Sequence, residues 1–427
     1  MSEEKVFPDP IQMRDRKCSG SCYYPENFPL QHTCRILYTM SDGIMKKLPQ
    51  DVTTCIILRL AVKSLLRYKC ISKTWCTLLE SSYFINLHVK RPTTTKDELI
   101  LLKRSFEEGP NQYKNVSSFL SGCDDDHYPI SPNIDVPYLS TTFGSVSQHI
   151  MGPYNGLIVL SDNEHVVLLN PSTRKYNLLQ PSPFEICPPG FDRYICGLGF
   201  GIDLTMNDYK FVRINEISSD LYKDPCVRGN KVEVYELNIE TWREEYYEEE
   251  TLPSVYWSPC SELFYKGVCH WFASGDGEVI LCFDMSTDTF RNIKMPHTCF
   301  FPNGMCYGLV ILNDSLTLIC YRDPTCDIDP LTDVIDIWTM KDYGVNDSWI
   351  MGYTIRPLPI ESPLTIWNDL LLLQSKSGQL ISYNFISDEV KEYNLHGYPG
   401  SLRVIVYKES LTSTLQENSQ GTQAQGF

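Results

Sequence analysis

Seventeen cysteines and eight histidines are the first residues in this chain that could do chemistry. A tetrahedral metal site needs such ligands clustered at short spacing. Here they are dispersed, no C-x-x-C occurs, and the nearest pair, Cys18 and Cys22, has no second pair to complete it. The odd, scattered set reads as reduced thiols rather than a disulfide framework. Cys196-Gly197-Leu198-Gly199-Phe200-Gly201 carries G-x-G-x-G, which differs from the dinucleotide fingerprint. It sits in a strand-like run with no helix N-terminus to receive a phosphate, so its glycines read as close-packing positions. There is no G-x-x-x-x-G-K-[ST], G-x-S-x-G or H-E-x-x-H. His270 adjoins Trp271 in an apolar run and reads as a core histidine. Asp124-Asp125-Asp126, between Gly122 and Pro129, reads as an exposed loop rather than a cation site. Glu244, Glu245, Glu248, Glu249 and Glu250, interrupted by Tyr246 and Tyr247, form an acidic run that is the first candidate for contacting a basic ligand. No catalytic residue, metal or cofactor is expected.

The elements that must carry these residues are legible in composition and charge. Apolar residues make up 42% and charged residues 21%, ordinary for a globular protein, while 26 Tyr and 7 Trp favour pleated, half-buried surfaces. No run approaches the roughly 20 apolar residues of a membrane span. The acidic start, Met1-Ser-Glu-Glu-Lys5, lacks a signal peptide's apolar core, so a cytosolic or nuclear protein is expected. The net charge of −16 is unevenly spread. Residues 44–91 hold nine Lys/Arg against Asp51 and Glu80, a net of +7, whereas residues 92–427 carry −22. A small basic module joined to a large acidic one implies different partners for the two. The acidic part would repel phosphates, which argues against nucleic acid.

From Leu48 to about His88 the pattern is helical. Pro49 sits near a helix start, Asp51 falls in the first turn, and Val52, Ile56 and Leu60 make one apolar stripe with Ile57 beside it. Ser64 and Ser72 are expected to cap a second and a third helix. The stretch LPQDVTTCIILRLAVKSLLRYKCISKTW resembles the F-box, departing at Ala61 where plant F-boxes usually have Pro. That resemblance implies docking to a Skp-type adaptor, and through it to a cullin scaffold and a RING subunit. It also implies that Leu48, Pro49, Ile57, Leu60, Val62, Leu65, Leu66, Cys70 and Trp75 form the adaptor-binding surface. Leu65 and Leu66 are expected at the surface of so small a module, and Trp75 in its interior.

Beyond Arg91 short apolar runs alternate with turn residues. Val166–Leu169 precedes Asn170-Pro171-Ser172-Thr173; Val279–Phe283 precedes Ser286-Thr287-Asp288; Leu380–Tyr383 precedes Ser387-Asp388. Aligning the run after each turn makes Tyr176, Trp242, Phe290, Trp349 and Val390 equivalent. Propeller blades recur about every 40–50 residues, and strand groups between 97 and 408 suggest about six. The run Ser401–Tyr407 could close such a ring beside the first strands. An all-β propeller behind a three-helix F-box is the expected fold, with a β-sandwich pair as the alternative. Residues 1–43 read as a disordered extension, 44–91 as the F-box, 92–410 as the β domain and 411–427 as a disordered tail.

The β region also resembles the F-box-associated domain of plant proteins, through Asn170-Pro-Ser-Thr-Arg174, Thr241-Trp-Arg243, Val268-Cys-His-Trp271 and Phe283-Asp-Met-Ser286. Toward the end, Ser348-Trp-Ile-Met351, Tyr353-Thr-Ile-Arg-Pro-Leu358 and Asn394-Leu-His-Gly397 look like the S-locus F-box proteins of the nightshade family. This implies a non-catalytic ubiquitin-ligase subunit of the pollen-tube cytosol that targets non-self S-ribonucleases, which are basic. An F-box adaptor with an unrelated client is the second reading. A glycan-binding or hydrolytic propeller is the third.

Overall fold

The computed structural model describes residues 50–92, 98–110, 112–120, 134, 149–162, 165–184, 189–219, 228–248, 251–256, 262–275, 277–296, 305–325, 334–356 and 358–414. Leu48, Pro49 and the whole expected N-terminal extension lie outside these residues, as do Asp124–Asp126 and positions 415–427. The chain divides into two compact units, Met1–Arg59 and Leu60–Phe427.

In the first unit the described residues form one helix, α1 (Gln50–Leu58), which exposes Val52 and buries Ile57. The second unit opens with α2 (Val62–Lys69), α3 (Lys73–Glu80) and α4 (Ser82–Lys90). Four helices are therefore described where three were expected. The extra one arises at Ser81, whose extended backbone (φ −65°, ψ 138°) ends α3 and whose hydroxyl accepts the Phe84 amide at 3.2 Å to start α4. Ser72 caps α3 as expected, accepting from the Trp75 amide at 3.2 Å. Ser64 caps nothing; α2 begins after Ala61, which offers no side-chain cap, and Ser64 lies inside the helix.

Six sheets follow. The first holds β1 (Glu98–Gly109) and β2 (Gln112–Leu120). The second runs β3 (His149–Tyr154), β4 (Leu157–Ser161), β5 (Val166–Asn170), β6 (Lys175–Leu178), and the third β7 (Phe191–Asp203), β8 (Asp208–Ser219), β9 (Arg228–Glu236), β10 (Thr241–Glu248). The fourth has β11 (Ser254–Val255) and β12 (Leu263–Tyr265) side by side along β13 (Val268–Ser274), then β14 (Glu278–Asp284) and β15 (Thr289–Lys294). The fifth is β16 (Met305–Leu312), β17 (Ser315–Arg322), β18 (Ile335–Met340), β19 (Trp349–Ile355). The sixth is β20 (Ile360–Trp367), β21 (Leu370–Ser375), β22 (Gln379–Asn384), β23 (Glu389–His396). The last strand, β24 (Arg403–Lys408), returns to β1 and pairs antiparallel with it from Glu98↔Lys408 to Lys103↔Arg403. This is a closed six-bladed propeller, and the sandwich pair is not formed.

Closure is visible in the packing. Each apolar cluster is shared by two neighbouring sheets, and the sixth pair joins β1 and β24 to the second sheet through Leu101, Ile158, Leu160, Ile405 and Tyr407. On its other side the first sheet contributes Ile100, Leu102 and Val404 to a cluster with Leu372 and Leu380. The five residues equated by sequence, Tyr176, Trp242, Phe290, Trp349 and Val390, all fall in the outermost strands β6, β10, β15, β19 and β23.

The repeated turns have a common cause. Asn170 Oδ1 accepts from the amides of Ser172 and Thr173, Asp284 Oδ1 from Ser286 and Thr287, and Asn384 Oδ1 from Ile386 and Ser387, all at 2.8–3.2 Å. Such Asx turns substitute a side-chain acceptor for the missing ladder. Each turn ends on a residue with positive φ: Arg174, Asp288 and Asp388. Leu411 and Thr414 are buried, so the packed chain continues beyond the boundary expected at 410.

Candidate functional site

The basic helices can be read residue by residue. In α1, Val52 is 44% exposed and Cys55 is exposed, while Ile57 is buried. In the second unit Leu60, Val62 and Leu65 are buried at 9%, 0% and 0%, and form the interior of the helical module. The expectation that Leu65 faces outward is therefore corrected. So is the burial of Trp75, which is half-exposed and stands edge-on to Tyr68 with ring centroids 6.0 Å apart. The outward apolar groups are Leu66 in part, Cys70, Trp75 in part, and Ile71, which is 50% exposed. Exposed Lys63, Arg67 and Lys73 surround them, and Lys69 is drawn to Glu80 at 3.4 Å. The α2–α3 surface thus combines an apolar centre with a cationic border, which suits an acidic partner.

These helices are covered from one side by residues about three hundred positions later. The Glu409 carboxylate accepts the Val62 amide at 3.0 Å, supplying the N-terminal cap that Ala61 lacks. Lys408 Nζ donates to the Val89 and Arg91 carbonyls at 3.0 and 2.9 Å, in the last turn of α4 and at its C-cap. Both placements complement the helix dipole, with an anion at an N-terminus and a cation at a C-terminus. Arg91 lies against His88 Nδ1 at 2.7 Å, donates to the His88 carbonyl at 2.6 Å, and reaches the Glu409 carbonyl at 3.5 Å. His88 is fully buried and stacks on Phe84. No local motif marks Lys408 or Glu409, because their partners are more than three hundred positions away in sequence.

The side of the ring that bears the helices follows from the next contacts. Asn170 Nδ2 donates to the Ser410 and Thr412 carbonyls at 3.0 and 2.8 Å, and the Thr412 hydroxyl donates to the Asn155 carbonyl at 2.8 Å. The segment carrying Glu409 therefore lies among the tight β3–β4 and β5–β6 turns. Antiparallel alternation puts the connections β6–β7, β8–β9, β15–β16 and β17–β18 at the opposite strand ends. They span 12, 8, 10 and 12 residues. The innermost strands enclose a channel of about 300 Å³ lined by Met151, Phe200, Phe264, Val310, Ile366 and Val404.

The acidic run lies on β10, the outermost strand of its sheet. Glu244 is paired with Lys231 at 2.8 Å, and Glu245 accepts the Tyr247 hydroxyl at 2.6 Å with Arg243 at 3.7 Å. Two of its charges are thus balanced within the sheet, while Glu248 is exposed. Glu249 and Glu250 lie outside the described residues. His270 is buried between the Leu263 carbonyl at 3.1 Å and the Tyr343 hydroxyl at 2.9 Å, a satisfied core position. Gly199 and Gly201 lie against Cys269, Trp271 and Phe264, the close packing expected of strand glycines. No group of three His, Cys, Asp or Glu among the described residues could hold a metal. No described helix is long and apolar enough to cross a membrane.

Comparison with known families rests on both parts of the chain. A model of the F-box domain matches residues 45–87, and a model of the F-box associated beta propeller domain matches residues 126–413. The chain belongs to the F-box proteins with an F-box-associated propeller. Its F-box marks it as a substrate-receptor subunit of a Skp–cullin–F-box ubiquitin ligase. F-box protein CPR1 of Arabidopsis thaliana is 24% identical over 390 residues, covering 86% of this chain and 89% of its own. An F-box/kelch-repeat protein of the same plant is 26% identical over 361 residues, covering 79% and 87%. Among solved structures, the computationally designed Ika8 protein covers 72% of the chain and 94% of its own at a TM-score of 0.33 and 10% identity, too low to carry an argument.

The junction makes the F-box protein's stability depend on pH in a defined direction. Burial, and then the Arg91 charge with Lys408 nearby, lower the His88 pKa from 6.5 to about 3. Between these values the unfolded chain binds a proton that the folded chain does not. The contribution is complete above pH 6.5 and is lost as pH falls toward 3. His270, lowered to about 4 by burial, adds to the same trend. One such proton corresponds to about 1.4 kcal/mol per pH unit. Between pH 7 and 5, the denaturant midpoint of His88→Leu should fall less than that of the wild type; equal slopes would contradict the assignment.

Proposed function

We propose that this F-box protein docks its Skp-type adaptor through the α2–α3 surface around Leu66, Cys70, Ile71 and Trp75, and holds a basic protein client on the face of the ring opposite the helices. The observation that carries this reading is the pairing of an apolar, cation-bordered surface on the helices with a strongly acidic remainder of the chain. Attraction between opposite charges speeds encounter and selects among partners at each end. The chain needs no nucleophile for this role. A receptor raises the effective concentration of a client lysine near a ubiquitin thioester carried by other subunits.

The client we favour is a basic S-ribonuclease, on the likeness of Ser348–Met351, Tyr353–Leu358 and Asn394–Gly397 to S-locus F-box proteins. The cytosol of the pollen tube would then be the working compartment. The second reading keeps the adaptor role and changes the client. It is favoured by relatives at 24–26% identity that are Arabidopsis F-box proteins, a distance that preserves a scaffold without preserving specificity.

Leu66→Asp with Ile71→Asp should weaken binding to a purified Skp-type adaptor about 100-fold or more, by placing charge in a desolvated centre. The ring should melt unchanged. Adaptor binding that survives the double variant would move the docking surface elsewhere. Leu65→Asp should behave differently and unfold the helical module, because it buries an unpaired charge.

For the client, immobilised receptor should retain S-ribonuclease from style extract. Raising ionic strength from about 0.05 to 0.5 M shortens the Debye length from about 14 to 4 Å and should slow association about tenfold. Absence of the ribonuclease would favour the second reading. A salt-insensitive association rate would remove charge steering from either.

A further inference from the structure

The strand that closes the ring does not stop at closing it. Tyr407, wholly buried, donates its hydroxyl to the Gly156 carbonyl at 3.1 Å and lies 2.7 Å from the Ser172 hydroxyl, which ties the end of β24 to two turns of the second sheet. The next two residues turn to the helices. Lys408 donates to the Val89 and Arg91 carbonyls, and the Glu409 carboxylate accepts the first amide of α2. Ser410 and Thr412 then return to the ring through Asn170 and Asn155. A short stretch, 407–412, is thus fixed to the ring at both ends and to the helices in its middle.

The chemistry of the middle contacts is specific. α2 begins without a side-chain cap of its own, so its exposed amide is available to an anion from elsewhere. A lysine facing two terminal carbonyls supplies the opposite charge to α4. Arg91 links the two, held by His88 and directed at the Glu409 backbone carbonyl. The direct chain connection between α4, which ends at Lys90, and β1, which begins at Glu98, is by contrast a single covalent path of seven residues. Orientation therefore depends on the contacts across space.

We propose that Lys408 and Glu409 are positioning residues that fix the orientation of the adaptor-docking helices on the ring, so that a client on the far face stands at a set place relative to the ubiquitin carrier. The proposal rests on the ligase-receptor reading for its purpose, but the fixed orientation is a property of this chain alone. Neither residue touches client or ubiquitin. Removing them leaves the docking surface and the ring's strands in place and frees the angle between them. A misplacement of about 1 Å can cost about 100-fold in a transfer reaction, which is why a rigid coupling matters.

The test uses the full chain bound to a Skp-type adaptor, with fluorophores attached through unnatural amino acids at Tyr83 on α4 and Tyr176 on β6, which are 67% and 42% exposed. The variant Lys408→Met with Glu409→Gln should broaden the single-molecule distance distribution while adaptor affinity stays within about twofold. In a ligase reconstituted with cullin and RING subunits, ubiquitin transfer to the receptor's own ring lysines should fall about tenfold and spread over more sites. Lys408→Arg should restore the narrow distribution. An unchanged distribution in the double variant would overturn the proposal. If that variant loses the ring's melting transition, Lys408→Met alone, with the ring intact, carries the same comparison. Failure of the wild-type chain to bind the adaptor would instead defeat the ligase reading, while the distance measurement on the free chain still judges the coupling.

Discussion

The pairing of β24 with β1 is the constraint on which the rest of this structure depends. Six consecutive residue pairs, from Glu98↔Lys408 to Lys103↔Arg403, join strands separated by most of the chain. Without them the first sheet would lose its inner strand, and the apolar clusters on both sides would each lose a wall: Val404 and Leu402 on one, Ile405 and Tyr407 on the other. The entropic cost of closing so long a loop grows only logarithmically with length. The area covered when two neighbouring sheets gain a partner is large, and closure removes the exposed edges that an open propeller would present. The last strand therefore completes a domain that the preceding sheets have nearly built.

The same strand governs the helices that bind the ligase. A module of three short helices has too little interior to bury Val62, Leu65 and Leu79 unaided. Glu409 and Lys408 lie at its termini, so its ends are satisfied by charges that arrive with the ring. One consequence is a division of labour among the apolar residues: Val62 and Leu65 turn inward, while Ile71 and part of Leu66 and Trp75 remain outside for a partner. A second is that the helices sit on the side of the β3–β4 and β5–β6 turns, while the β6–β7, β8–β9, β15–β16 and β17–β18 connections leave from the other side. Function in such a receptor is geometric, and this arrangement supplies the geometry.

What could be read from the sequence was local. The Asx turns at Asn170, Asp284 and Asn384 depend on contacts two and three residues ahead, so their spacing exposed the outer strands that follow them. The helix start at Ser72 and the F-box pattern around it were legible for the same reason. The errors share a different cause. Ser64 looks like a cap, but the α2 cap comes from 347 residues away. Leu65 looks exposed only when the module is imagined alone. Glu244 and Glu245 look like bare charges until β9 and β10 pair and bring Lys231 and Arg243 beside them. Ser81 carries no sequence signal of a break, because no proline or glycine stands near it.

Ring closure and the seating of the docking helices should form one cooperative unit. Native-state hydrogen exchange across rising denaturant measures this directly, amide by amide. The slow amides of β1, β24 and α2–α4 should exchange through a single opening with the same free energy and the same denaturant dependence. Helices that open at distinctly lower free energy, with β1 and β24 still protected, would contradict it.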